Sequence, residues 1–340
     1  MSDYLEAELE VALAAVRTAA KVCRSVRASM AGGSMQKDDR SPVTVADYAS
    51  QAVIARALAD AFPDDPLVGE EGADHLRQPE HAEQRLRVRQ EVNAAGINGT
   101  DEAICDWIDR GGYREYTERF WTVDPIDGTK GFLRGGQYAI SLALIVNGRI
   151  ELGVLGCPAM TEAAAGADTS TLEADDSAGL LFHAVRGRGA FMLPLNTDSS
   201  DSAGTRIHTS EVSTAAEARL CESYESSHSR HDVSADVAEK LGISRDPVRM
   251  DSQAKYAALA SGRAEIYLRL PTRPDYEENI WDHAGGVLVV EEAGGTVTDV
   301  TGKPLDFSRG PNLSANRGVV VTCGPLHEEV IAAVRAAGIG

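Results

Sequence analysis

Two apolar, branched-rich runs, YAISLALIVNG and RIELGVLGCP, meet at Asn147-Gly148, the strongest short hairpin signal in the chain. Asn and Gly tolerate the positive φ angles that a two-residue turn between twisted strands demands, so these segments are expected to pair antiparallel. A second pair is expected in LLFHAVRGRGAFML around Gly187 to Gly189, with further strands in AEIYLRL and GVVVTCG. Residues 4 to 30 repeat Leu5, Leu9, Leu13, Val16, Val22, Cys23 and Val26 at helical spacing. After AGGSMQKDD, the run SPVTVADYASQAVIARALADAF reads as a short extended piece and then a helix stopped at Pro63, with Asp47 at that helix's start. A helix runs through HAGGVLVVEEAG and a closing one begins at Pro325. Strand and helix do not alternate regularly and no repeat is present, so the expected class is α+β and layered, not a Rossmann sheet.

At 340 residues the chain is long enough for two packed units. Its 52 acidic and 33 basic residues leave a formal charge of -19, which repels a nucleic-acid backbone and argues against a polymer partner. A small anion remains accessible, because divalent cations held by carboxylates invert the field locally. The start, MSDYLEAELE, lacks a signal peptide's basic and apolar regions, and no apolar run is long enough to span a bilayer. Five scattered cysteines, at 23, 105, 157, 221 and 323, form no C-x-x-C pair, against both a disulfide framework and a zinc site. A soluble, cytoplasmic protein without membrane contact is expected. From Arg77 to Arg119 a polar, charged segment resembles an insertion, and the acidic stretches TEAAAGADTSTLEADDSAG and NTDSSDSAGT are expected to be solvated loops.

The most informative segment is WTVDPIDGTKGF, in which Asp124 and Asp127 flank Pro125 and Ile126 at the end of an apolar run. Proline has no amide hydrogen and a fixed φ, so it is expected to end strand pairing and hold both carboxylates in one turn. Magnesium takes oxygen ligands and keeps several waters, which suits two or three carboxylates, the Ile126 carbonyl and a phosphate oxygen. Gly128-Thr129 then starts a helix whose first amides can meet that phosphate. Taken alone, D-P-x-D-G-T is also an ordinary turn sequence. Glu70 and Glu71 follow a short apolar run in VGEEG, and Asp282 stands at the mouth of the apolar helix in NIWDHAGG. Alone, Asp282 reads as a helix cap and the two glutamates as solvated.

Taken in order, G-E-E, D-P-I-D-G-T and W-D resemble the signature of the inositol monophosphatase superfamily of metal-dependent, lithium-sensitive phosphatases. That resemblance implies an α/β/α/β/α sandwich with the metal site between an N-terminal α+β unit, 1–183, and a C-terminal unit, 184–340, contributing Asp282. It implies two or three magnesium ions on Glu70, Asp124, the Ile126 carbonyl, Asp127 and Asp282. It extends through SPVTVADYASQ, FPDDPLVGEE, the SSHSRHD stretch, DSQAKYAALASG and YLRLP, and is nearest to the branch that hydrolyses adenosine 3',5'-bisphosphate.

By the same resemblance Asp47 and Thr129 orient and deprotonate the attacking water, Gly128 and Thr129 touch the phosphate, and His228, Ser252, Lys255 and Arg269 bind the nucleotide. From the residues alone Asp47 reads equally well as a helix cap, Lys255 as a snorkelling helix residue and Arg269 as an exposed strand residue. A shift of alignment in SSHSRHD exchanges His228 with His231. No serine, cysteine or histidine stands in a recognisable nucleophile arrangement, so water is the expected attacker, and a second phosphate needs cations away from the metals. The expected function is removal of the 3'-phosphate from adenosine 3',5'-bisphosphate to give AMP, and of the same phosphate from its sulfated form. An inositol phosphatase on the same scaffold is the nearest alternative, and a non-catalytic phosphate-binding protein the more distant one.

Overall fold

The computed structural model describes residues 5–31, 41–161, 179–197, 204–224, 231–271, 273 and 276–339. The two acidic loops expected to be solvated fall largely outside the described residues, as does His228. Two mixed sheets organise the chain. In the first, seven strands lie side by side in sequence order: β1 (Leu67–Gly69), β2 (Arg119–Asp127), β3 (Ala139–Val146), β4 (Arg149–Cys157), β5 (Leu180–Val185), β6 (Gly189–Pro194) and β7 (Thr205–Ile207). Only β1 and β2 run parallel, and every later neighbour is antiparallel. Asn147 and Gly148 turn the β3–β4 hairpin with φ of 52° and 73°, as the two-residue turn requires.

The second sheet is built from β8 (Leu220–Glu222), β9 (Val248–Arg249), β10 (Ile266–Arg269), β11 (Thr296–Thr298) and β12 (Val319–Thr322), in the order β11-β12-β10-β8-β9. Period-two alternation decides which side chain meets which layer. On β10 and β12, Tyr267, Val319 and Val321 face inward, whereas Ile266, Leu268 and Val320 face out.

Helices fill the remaining layers. Outside the first sheet lie α1 (Glu6–Ala31) and α2 (Ser41–Ala61), whose Leu13, Val16, Ala49 and Val53 pack on Trp121, Leu142, Leu144 and Val154. They are followed by α3 (Ala82–Ala94) and α4 (Asp101–Asp109) of the inserted segment, and by α5 (Thr129–Arg134) after β2. Beyond the second sheet lie α6 (His231–Lys240) and α9 (His327–Ala336), and between the sheets lie α7 (Ala254–Ala260) and α8 (Ala284–Glu292). The result is the helix, sheet, helix, sheet, helix stack. Gly285 lets α8 reach the first sheet, since a Cβ there would meet the Ser141 hydroxyl at 2.6 Å. A Cβ on Gly286 would strike the Tyr256 ring at 2.4 Å.

Three expectations change. The helix carrying Asp47 already begins at Ser41, so the SPVT run expected to be extended is helical, and Val45, Ala46, Tyr48 and Ala49 are buried in the core. Pro125 bends β2 without ending it: pairing with β3 lapses after Asp124 and resumes at Asp127. The last helix starts at His327, two residues past Pro325. Residue 183, at the expected division between the two units, lies within β5.

One network ties the layers near β1. Arg119 donates to both Asp65 carboxylate oxygens at 2.9 and 3.0 Å and to Glu8 at 3.0 Å, while the indole N–H of buried Trp121 reaches Asp65 Oδ2 at 3.0 Å. Asp65→Ala strands that indole donor, so chemical denaturation should report a loss of about 1–3 kcal/mol. A change below a few tenths would mean that water replaces the carboxylate.

Candidate active site

The parallel pairing of β1 with β2 brings the first acids together. Gly69 is opposite Val123, so the next residues, Glu70 and Asp124, leave neighbouring strands side by side, and their charges repel. The bulge at Pro125 then carries Ile126 and Asp127 round the same corner, with the Ile126 N–H donating to Asp124 Oδ1 at 3.1 Å. Gly128 follows at φ 88°, a left-handed position where a side chain would also sit 2.7 Å from the Ser252 Cβ. Thr129 opens α5, which is only six residues long and so contributes little dipole to an anion.

Ser252 itself adopts φ 71°, a strained value for a residue with a side chain. It places the Gln253 backbone N–H 2.5 Å from Asp127 Oδ2. The Gln253 side chain is a bolt between layers: its Oε1 accepts from the Ser141 hydroxyl and the Gly286 N–H, and its Nε2 donates to the Trp281 carbonyl at 2.8 Å. That last bond holds the single 3-10 turn Ile280–Asp282, which delivers Asp282 from the far side. On the near side, Gln51 of α2 grips the Glu70-Glu71 corner, donating to the Glu71 carbonyl at 2.7 Å and accepting from its N–H at 3.0 Å.

These elements enclose a cavity of about 620 Å³. Asp47, Glu70, Asp124, Ile126, Asp127, Gly128, Thr129, Ser252, Lys255, Arg269 and Asp282 all line it, from segments spread over more than two hundred positions of sequence. Asp47 is buried within α2 and caps nothing. Asp282 makes no capping bond to α8 and pairs instead with Arg269. Lys255, 3% exposed, points inward with Nζ 3.4 Å from the Met250 carbonyl, so it does not snorkel. Arg269 is no exposed strand residue either: it bridges Glu278 at 2.7 Å and Asp282 at 3.2 Å. Gln51, Asp251, Gln253 and Glu278 were not singled out by the sequence, although polar residues inside apolar helices and around DSQAK were a signal that could have marked the two glutamines.

The electrostatics are those of an acid cluster short of cations. Glu70 is reachable from the cavity yet surrounded by protein, and its carboxyl is pushed up to about 8 by burial, then by the charges of Asp282 and Glu71. Burial, then Glu70, Asp127 and Asp282, hold Asp124 well above the carboxylate range. Asp127 is raised by burial and Asp282, against the pull of Lys255 and Arg269. Burial, then Glu71 and Glu70, lift Asp47. Carboxylate and carbonyl oxygens facing one polar cavity are the donor set that hard divalent cations take, and a cation is what ionises such a cluster. A tighter triple, Glu278, Asp282 and His283, also has its ligand atoms within 4.8 Å, but the Arg269 guanidinium already bonds two of its members.

The model of the inositol monophosphatase family matches residues 4–338. The chain belongs to the inositol monophosphatase family. Metal dependence is typical of this family, in keeping with the donor set. Among curated relatives of the family, the 3'(2'),5'-bisphosphate nucleotidase of Schizosaccharomyces pombe is 42% identical over 97% of this chain and 96% of its own. That of Oryza sativa is 42% identical over 97% and 94%, and the 3',5'-bisphosphate nucleotidase AHL of Arabidopsis thaliana 37% over 98% and 97%. Solved members share the fold at lower identity. The inositol monophosphatase of Anabaena superposes with a TM-score of 0.62 at 21% identity, covering 98% of this chain and 96% of that one. Mycobacterium tuberculosis SuhB gives 0.60 at 22%, covering 97% and 96%.

Proposed function

We propose that this protein is a magnesium-dependent phosphomonoesterase that removes the 3'-phosphate of adenosine 3',5'-bisphosphate to give AMP, and acts likewise on the sulfated form of that nucleotide. The observation that carries this reading is the near full-length identity, 37–42%, to proteins named as bisphosphate nucleotidases. A cavity with acids at one end and Lys255 among its walls supports it. The inositol phosphatase alternative rests on fold alone, since the solved inositol monophosphatases and their kin are 18–24% identical. Among the described residues no helix is long and apolar enough to cross a membrane. The five cysteines are buried, and none is cross-linked as a disulfide, which favours a reducing cytoplasm as the setting.

Glu70, Asp124, the Ile126 carbonyl, Asp127 and Asp282 would hold two or three magnesium ions, which supply charge neutralisation at the phosphoryl oxygens and lower the pKa of water. Asp47, whose raised pKa makes it a better base than an ordinary carboxylate, takes the proton of the attacking water, and Thr129 orients that water. No histidine or cysteine lines the described cavity to activate a serine, so water attacks the phosphorus directly. Lys255 and Arg269 bind the second phosphate, Ser252 assists them, and His228 contributes to the nucleotide from outside the described residues.

Phosphate release from adenosine 3',5'-bisphosphate, its sulfated form, inositol 1,4-bisphosphate and inositol monophosphate tests the reading. The two nucleotides should give the highest kcat/KM, and all turnover should cease in excess chelator. A preference for either inositol phosphate would overturn the substrate, and turnover in chelator the metal.

A further inference from the structure

Arg269 is asked to meet a substrate phosphate, yet in the structure it is bonded to Asp282, a candidate metal ligand, at 3.2 Å. Unopposed, that pair would draw the guanidinium toward the metal end and Asp282 away from its cation. Something must fix the arginine from the other side. Glu278 does so, its Oε2 forming an ion pair with the guanidinium, 2.7 Å from Arg269 Nε. A guanidinium is a rigid plane, so a hydrogen bond from Nη2 to Asp282 and an ion pair with Glu278 on its other side set where its remaining donors point.

Glu278 is held in turn. The same Oε2 lies 3.2 Å from Nε2 of His283, and Nδ1 of His283 lies 2.7 Å from the Tyr256 hydroxyl. Nε2 faces a carboxylate and therefore donates, which leaves Nδ1 to accept from the Tyr256 O–H. His283 is 0% exposed and Tyr256 1%, so no solvent competes along this line. It ends on α7, against the Gly286 backbone.

We infer that Glu278 is a positioning residue for the substrate's second phosphate: backed by His283 and Tyr256, it locks Arg269 between Asp282 and the nucleotide. This rests on the nucleotidase reading and names a residue which that reading does not use. A buried carboxylate shared by an arginine and a histidine is expensive to maintain as a packing device, since apolar groups of similar volume serve that purpose as well or better.

Glu278→Gln keeps the shape and removes the charge that anchors the guanidinium. For the nucleotide bisphosphate KM should rise about tenfold while kcat falls less than about threefold, the pattern of lost binding common to ground and transition states. Calorimetric titration with AMP in magnesium should give a matching rise in Kd, a readout that reduced stability of a folded sample does not move. KM and Kd within about twofold of the unaltered protein would overturn the inference. Should Glu278→Gln not fold, Tyr256→Phe removes the far end of the line, and a rise in KM and Kd of about threefold is expected. No rise in that variant overturns the inference too. The unaltered protein is assayed first, and failure to hydrolyse the bisphosphate would overturn the nucleotidase reading itself, whereas turnover with an indifferent Glu278→Gln overturns the positioning role alone.

Discussion

Asp127→Asn should lower turnover by roughly a thousandfold or more while leaving the metal-free fold as stable as before, or more so. Magnesium contributes several kcal/mol by stabilising charge in the transition state, and each 1.36 kcal/mol is a factor of ten in rate. Asn keeps the volume and an oxygen that can accept from the Gln253 N–H, now 2.5 Å from Asp127 Oδ2. It loses the charge that Asp282 opposes and that burial penalises. Function and stability therefore pull against each other at this position.

The pH dependence of melting gives a second view of that variant. Burial, then the charges of Asp282 and Glu71, push the Glu70 carboxyl up to about 8 in the folded, metal-free protein, against an ordinary value of 4.5. Between these values the folded state holds a proton that the unfolded chain has released. Stability without metal should thus fall as pH rises from about 5 to about 8, the opposite of a salt-bridged carboxylate. Asp127 contributes one of the charges that raise Glu70, so the decline should be shallower in Asp127→Asn. Magnesium competes with those protons and should stabilise the unaltered protein more at the upper end of the range than at the lower. Melts in chelator that are flat across the range, or steeper in the variant, would contradict the account of the cluster.

What the sequence disclosed of this site follows the reach of each interaction. The Asn147-Gly148 hairpin and the D-P-I-D-G-T corner were legible because their chemistry is local: two residues that accept positive φ, and a proline that interrupts a ladder between two acids. The start of α2 departs from its local preference: β-branched residues beside a proline favour extended backbone, and that preference yields when Val45, Ala46 and Ala49 are buried in the core. The polar DSQAK run could have marked Gln253 as a candidate, but not its work, since its partners Asp127 and Ser141 lie 126 and 112 residues away. The same holds for Arg269. Its strand was visible, but its bonds to Glu278 and Asp282 arise only when the chain returns through the 3-10 turn before α8.

Lys255→Met is the sharper test of substrate choice. A lysine 3% exposed is held against the cost of burying an ammonium, and that cost, with Asp127 opposing it, sets its pKa below the usual value. Methionine fills nearly the same space beside Tyr267, whose ring lies 5.1 Å from Nζ, so the melting temperature should hold or rise. If the ammonium receives the second phosphate, kcat/KM for adenosine 3',5'-bisphosphate should drop roughly a hundredfold, mainly through KM, as when one partner of a buried charge pair is removed. Inositol monophosphate, which has no second phosphate, should lose less than about threefold. Lys255 has another route to the chemistry, because its charge favours the ionised form of Asp127. Were that its whole role, both substrates would suffer alike and excess magnesium would restore them, so a magnesium titration of the variant with each substrate separates a phosphate receptor from a tuner of the metal ligand.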